Sequence, residues 1–191
     1  MKHISAVCFD AFGTLIKYGG HPINPYRHLT QGEHNRAAER RQFLTRNAGL
    51  ADFASELGLS HMLPIIQAEL NEELAGLQLF PEVQQTLDKL RTHGKRMAVC
   101  SNLAAAYGPV VRQLLPLVDA HILSFEVGAA KPEPAIYSQV CDQLSCQPSE
   151  VLFIGDSKRC DLEGPIAFGM EARWLDRKSG DTLLGALAGY L

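Results

Sequence analysis

Apolar positions along this chain alternate between two patterns. Short, nearly continuous apolar runs fall at 4–9, 97–100, 121–124, 151–154 and 172–175, and glycine or polar residues close them. Runs of this length read as strands buried on both faces, the habit of parallel sheets. Between them the apolar spacing becomes helical. Pro81 opens a helix with Val83, Leu87 and Leu90 on one side and Gly94 at its end. Further helices are predicted over 104–115, with Gly108-Pro109 as a kink or late start, over 134–144, over 160–168 before Gly169, and from about residue 181. Strand-helix alternation of this kind predicts an α/β fold: a doubly wound parallel sheet with right-handed crossovers and helices on both faces.

The segment 17–79 breaks the alternation. A Gly- and Pro-rich loop, Tyr18-Gly19-Gly20-His21-Pro22, leads into helical stretches at 36–47, 50–57 and 63–77, the last with Pro64 near its start, and no strand signal interrupts them. The sequence therefore predicts a core of residues 1–16 and 80–191 and a small all-helical cap of residues 17–79, hinged at Gly19-Gly20 and at 78–81. Arg36, Arg40, Arg41 and Arg46, diluted by Glu33 and Glu39, read as a solvated helix face.

Composition narrows the function mainly by exclusion. Among 191 residues, 46% are hydrophobic and 20% charged, and the formal net charge is −3. Nothing in that balance suits nucleic acid or an anionic membrane, and no apolar run approaches the roughly 20 residues of a membrane span. The opening Met1-Lys2-His3-Ile4 runs into a strand without a signal-peptide pattern. Cys8, Cys100, Cys141, Cys146 and Cys160 are odd in number and lack zinc-type spacing, which reads as reduced thiols. A cytoplasmic protein acting on a small molecule is expected.

Four predicted strand ends carry the chemistry. Asp10 and Thr14 follow the first strand, Ser101-Asn102 the second, Lys131 lies in the loop beyond the third, and Asp156 and Asp161 follow the fourth. Ligands of open α/β sheets bind beyond these carboxyl ends. Taken singly, each residue also reads as a cap or a loop charge. Together they offer a carboxylate that can act as a covalent nucleophile, and a hydroxyl and an ammonium that can offset developing charge. Two acids so close together call for a cation, and Mg²⁺ is the oxygen-loving ion that bridges carboxylate and phosphate.

The series Asp-x-x-Gly-Thr-Leu, Ser-Asn, Lys-Pro and Gly-Asp-Ser-x-x-x-Asp resembles the haloacid dehalogenase-like (HAD) hydrolase superfamily, over the whole chain except the cap. That resemblance implies a Rossmann-like core with a helical cap. It further implies Asp10 as nucleophile, Thr14 as support of its loop, Ser101 and Asn102 as phosphate-side contacts, and Lys131 as the charge steadying nucleophile and intermediate. Asp156 resembles a direct Mg²⁺ ligand beside Asp10 and the backbone oxygen of Phe12, with Asp161 acting from behind.

One position departs from the family's phosphatases, which carry an acid-base Asp where this chain has Phe12. The stretch Phe-Asp-Ala-Phe-Gly-Thr-Leu resembles the 2-haloacid dehalogenase branch instead, and a departing halide needs no proton. Asp156 points the other way, because a metal beside Asp10 blunts attack on neutral carbon and assists attack on a phosphate dianion. The preferred expectation is a Mg²⁺-dependent phosphatase on a small phosphorylated metabolite. The alternatives are a 2-haloacid dehalogenase-type hydrolase and a catalytically weak ligand-binding member. Arg27, just after the hinge, is the cap residue placed to reach a substrate anion.

Overall fold

A computed structural model describes residues 3–30 and 36–190. Met1, Lys2 and Glu33, used above, lie outside the described residues. The core is a five-stranded parallel sheet in the order β5-β4-β1-β6-β7. Its strands are β1 (Ala6–Phe9), β4 (Arg96–Ser101), β5 (Ala120–Leu123), β6 (Val151–Gly155) and β7 (Glu171–Trp174). The fold is the expected Rossmann-like α/β arrangement. β1 is central, with Phe9 beside Val99 on β4 and Ile154 on β6.

Alternation along β1 explains the two layers of helices. Val7 and Phe9 belong to one buried apolar cluster, together with Val83, Leu87 and Leu90 of α4 (Val83–Thr92) and Val111 of α5 (Gly108–Leu114). Ala6 and Cys8 face the other way, towards Ile136, Tyr137 and Val140 of α7 (Pro134–Leu144). All five cysteines are free thiols.

Between β1 and β4 the chain forms α1 (Arg36–Thr45), α2 (Leu50–Glu56) and α3 (Leu63–Ala75). The helices match the expected stretches, but their root holds a feature the pattern lacked. β2 (Ile16–Tyr18) and β3 (Leu77–Leu79) form an antiparallel ribbon, with Lys17 opposite Gln78. Three-residue strands are too short to show alternation, so only their pairing reveals them. The insert has its own aromatic nucleus, Phe43 and Phe53 edge-on at 4.9 Å, with Tyr26 at 5.4 Å from Phe43. It is tied to the core where Tyr107 donates to Glu73 of α3 at 2.6 Å.

Three local differences matter for the site. The expected strand over 121–124 ends at Leu123, and a short helix α6 (Ser124–Val127) follows it. The expected helix over 160–168 begins as a π-helical turn at Lys158–Glu163 before α8 (Gly164–Phe168). At the carboxyl end, α9 (Leu183–Ala186) is a short helix preceded by a 3₁₀ turn at Arg177–Ser179.

Candidate active site

Asp10 leaves the central strand with its amide still donating to Ile154 O at 2.9 Å, so the sheet fixes its backbone. The next turn is locked by Gly13 N to Ile16 O and by Leu15 N and Ile16 N to Ala11 O, each at 2.8 Å. Gly13 adopts φ +79°, and a Cβ there would stand 2.2 Å from Asp156 Oδ2. Glycine is thus required twice, for the left-handed backbone and for the approach of the second acid.

The residues expected from four strand ends do meet. Lys131 Nζ donates to Asp10 Oδ1 and to Asp161 Oδ1, both at 2.7 Å, and Ser101 Oγ donates to Asp10 Oδ1 at 3.2 Å. Lys131 follows no adjacent strand end; its loop brings it in, held by Asn102. The Asn102 side chain accepts from Lys131 N at 2.7 Å and donates to Lys131 O at 2.9 Å. Asn102 lines the crevice, and its side chain positions Lys131 with its oxygen and one of its two amide hydrogens. Asp161 is committed as well: its second oxygen accepts from Ser157 N at 2.9 Å. The wide π-helical turn carries it under the end of β6, where a Cβ on Gly155 would lie 2.4 Å from its carboxyl carbon.

Carboxylate oxygens of Asp10, Asp156 and Asp161 lie within 4.8 Å of one another. Against three acids the cluster holds one ammonium, and no side chain among the described residues hydrogen-bonds or pairs with the Asp156 carboxylate. That residue is exposed to the crevice, while Asp10 is only 7% exposed. Burial pushes the Asp10 carboxyl up to about 7; Asp161 and Asp156 push it the same way, and Lys131 opposes them. Asp156 is raised too, by burial first and then by Asp161. Burial alone would depress Lys131, but the Asp10 and Asp161 carboxylates overcome it and hold its ammonium well above the usual range. An unpaired carboxylate open to the crevice beside a buried second one is a fitting cradle for a hard divalent cation. Asp10 and Asp156 are the side chains available to hold one.

The remaining expected residues sit elsewhere or act differently. The Thr14 hydroxyl is buried without a partner among the described residues, and its carbonyl accepts from Arg177 at 2.5 Å. Arg177 also pairs with Glu82 and stacks over Phe80 at 4.0 Å, pinning the loop after Asp10 to α4. Arg27 is not brought to the site. It donates to Glu69 at 2.8 Å and to Asn24 O at 3.1 Å on the outer side of the insert, because the 3₁₀ turn at Pro25–Leu29 buries its neighbour Tyr26 instead. The Phe12 side chain neither donates nor accepts: its ring stacks on Tyr18 at 5.6 Å and meets Tyr107 edge-on at 5.8 Å.

Arg40 is exposed, as expected of the basic helix face. Its neighbours on the expected solvated face do pair at the surface, Arg41 with Glu133 and Arg46 with Glu56. Arg40 instead lines a cavity beside Phe12, Phe43 and Tyr107. The sequence signal available was its place three residues before buried Phe43, one helical turn away.

Comparisons with known proteins place the chain in a family. A family profile described as a haloacid dehalogenase-like hydrolase matches residues 4–169. The chain is 32% identical over 107 residues to (S)-2-haloacid dehalogenase 4A of Burkholderia cepacia, an alignment covering 53% of this chain and 45% of that enzyme, so it spans less than half of that relative's length. It is 27% identical to the phosphoglycolate phosphatase of Photorhabdus laumondii, over 87% of this chain and 78% of the relative. The crystal structure of a HAD phosphatase from Thermococcus onnurineus superposes with a TM-score of 0.64 at 25% identity, covering 94% of this chain and 89% of that one.

Proposed function

From the premise that the chain belongs to the haloacid dehalogenase-like hydrolases, we propose that it is a Mg²⁺-dependent phosphoric monoester hydrolase with Asp10 as nucleophile and residues 17–79 as its cap. The observation that carries this reading is the Asp156 carboxylate, unpaired among the described residues and within 4.8 Å of Asp10 and Asp161. An acid there is costly beside a nucleophile unless a cation offsets it. Asp10 and Asp156, with the Phe12 carbonyl oxygen, would hold Mg²⁺, which when bound offsets the charge of a phosphate dianion facing a carboxylate.

The chain's own residues supply the rest. Lys131 and Ser101 converge on Asp10 Oδ1 at 2.7 and 3.2 Å, which directs the other oxygen, Oδ2, to attack phosphorus. The same two groups are placed to stabilise charge as it develops on the phosphoryl oxygens. Asn102 positions Lys131, and Asp161 keeps its ammonium charged. Water then hydrolyses the phosphoaspartate.

The pH dependence of metal binding follows from the cluster. Because the Asp10 carboxyl is pushed up to about 7, protons compete with the ion for it below that pH. Calorimetric titrations should show Mg²⁺ affinity level above pH 7 and falling about tenfold per pH unit below it. Affinity unchanged down to pH 5 would remove Asp10 from the ligand set.

Phe12 supports a second reading, the 2-haloacid dehalogenase, because no proton donor replaces the family's acid-base Asp. One variant separates the two. As a phosphatase, Phe12→Asp should gain turnover on alkyl phosphates, by about the 10²- to 10⁴-fold that a general acid contributes, and little on acyl phosphates. As a dehalogenase, it adds a third carboxylate near Asp10, beside those of Asp156 and Asp161, and should lose activity on 2-chloropropionate. Rates on acetyl phosphate, an alkyl phosphate and 2-chloropropionate, each with and without Mg²⁺, decide between them.

A further inference from the structure

The Asp10 crevice continues, past Phe12 and Asn102 which line both spaces, into a cavity of about 430 Å³. Its wall is aromatic: Phe12, Tyr18, Tyr26, Phe43 and Tyr107. A volume of this order suits a small organic ligand. Two polar groups in the wall lack a protein partner among the described residues. One is the Tyr26 hydroxyl, on a residue only 7% exposed; the other is the Arg40 guanidinium at the exposed rim. The Tyr26 hydroxyl itself has almost no accessible surface, so Tyr26 gives the wall its ring, and the Arg40 guanidinium is the unpaired group left at the rim to meet a ligand.

Glu73 and Tyr107 are spoken for. Glu73 Oε2 accepts from Asn24 N at 2.7 Å and Ile23 N at 2.5 Å, while its Oε1 accepts from the Tyr107 hydroxyl at 2.6 Å. Glu73 is therefore no proton donor, and the cavity offers no other carboxylic acid among the described residues. A flat apolar wall next to a nucleophile, with no acid to protonate a departing oxygen, selects the alcohol half of the ester.

Building on the phosphatase reading above, we propose that the cavity takes the ring of an aryl phosphate carrying an anionic substituent, with the ring against the Phe12 wall and the substituent at Arg40. An Asp10 oxygen forms a bond to phosphorus as the bond to the aryl oxygen breaks. The electron pair leaves on the phenolate, which takes its proton from water. A second water then releases orthophosphate and restores Asp10. A phenolate, whose conjugate acid has a pKa of about 10, departs without an acid far more readily than an alkoxide, whose conjugate acid is much weaker. Phe12 thus serves as a leaving-group platform in the place of a proton donor.

The test compares kcat/KM with Mg²⁺ for 4-carboxyphenyl phosphate, phenyl phosphate, 3-phosphoglycerate and acetyl phosphate, the last too small to use the cavity. The carboxylated aryl ester should exceed phenyl phosphate by about tenfold, as one charge-assisted contact allows, and 3-phosphoglycerate by at least about 10²-fold, the scale of a missing acid. Arg40→Gln should raise KM for 4-carboxyphenyl phosphate several-fold with a small change in kcat, and should erase its advantage over phenyl phosphate. Calorimetry on Asp10→Asn protein should detect 4-hydroxybenzoate binding, weakened by adding Arg40→Gln. If acetyl phosphate is hydrolysed but 3-phosphoglycerate matches the aryl esters, the substrate assignment is overturned and the phosphatase reading stands. If no phosphate ester turns over yet 4-hydroxybenzoate binds through Arg40, the phosphatase reading falls and the cavity remains an aryl-carboxylate site. Absence of both turnover and binding overturns the inference.

Discussion

Asp10→Asn should lower turnover by about 10⁴- to 10⁶-fold, the range seen when a covalent nucleophile is removed. The amide keeps an oxygen where Lys131 and Ser101 donate, so the fold should persist while the attacking carboxylate is lost. The same change removes one of three crowded acids. In the wild type, the folded Asp10 carboxyl titrates at about 7 against an ordinary 3.8. Between those values the folded state binds more protons than the unfolded one, so stability falls as pH rises. An amide at this position does not titrate and has no such dependence. At pH 8 without Mg²⁺, the variant should melt at or above the wild-type temperature, even though it is inactive. Rapid acid quench followed by mass spectrometry should find a phosphoryl group on the Asp10 peptide of the wild type. A variant retaining turnover within tenfold of wild type, or a phosphoryl group on another residue, would exclude Asp10 as the nucleophile.

Lys131→Met should be the most destabilising single change in the site. The ammonium is 2% exposed and pairs at 2.7 Å with both Asp10 and Asp161, themselves buried. Removing one partner from a buried charge cluster costs about 3–5 kcal/mol, a large share of the roughly 5–15 kcal/mol that holds a typical domain folded. The loss should depend on pH. Without the ammonium, the Asp10 carboxyl rises further above 7 and can shed its charge by taking a proton, so urea denaturation should show a smaller deficit at pH 6 than at pH 8. Where the single variant does not fold, Lys131→Met with Asp161→Asn removes an opposed pair together and should recover most of the stability, since a buried pair is worth little net. Equal stability of Lys131→Met and wild type at pH 8 would show that the cluster is hydrated rather than buried.

Much of this protein is legible in one dimension because its core elements are locally specified. The apolar run ending at Asp10, the Pro81-to-Gly94 helix and the helix from Pro134 carry their own start and stop signals, and each appears within a few residues of the expected place. Strands buried on both faces, joined by helices, leave few topologies, so the parallel sheet and the meeting of four strand ends follow from the sequence. Asp10, Ser101, Lys131, Asp156 and Asp161 were legible for that reason. The β2-β3 ribbon was not: each strand is three residues long, and its existence depends on a partner about sixty positions away.

Tertiary structure alone decided which polar atoms remain free. Nothing in the sequence shows that Asn102 holds the Lys131 backbone, or distinguishes Arg27, paired with Glu69, from Arg40, which lines the cavity. A cationic side chain reaches several ångströms in any direction, and its partner is set by how the insert packs on the core. That packing rests on contacts between distant segments, such as Tyr107 with Glu73. Phe12 shows the same division. Its lack of a proton donor was readable in the chain, whereas its place in an aromatic wall with Tyr18 and Tyr107 exists only once β2 and the 3₁₀ turn at Ala105–Tyr107 have come together around it.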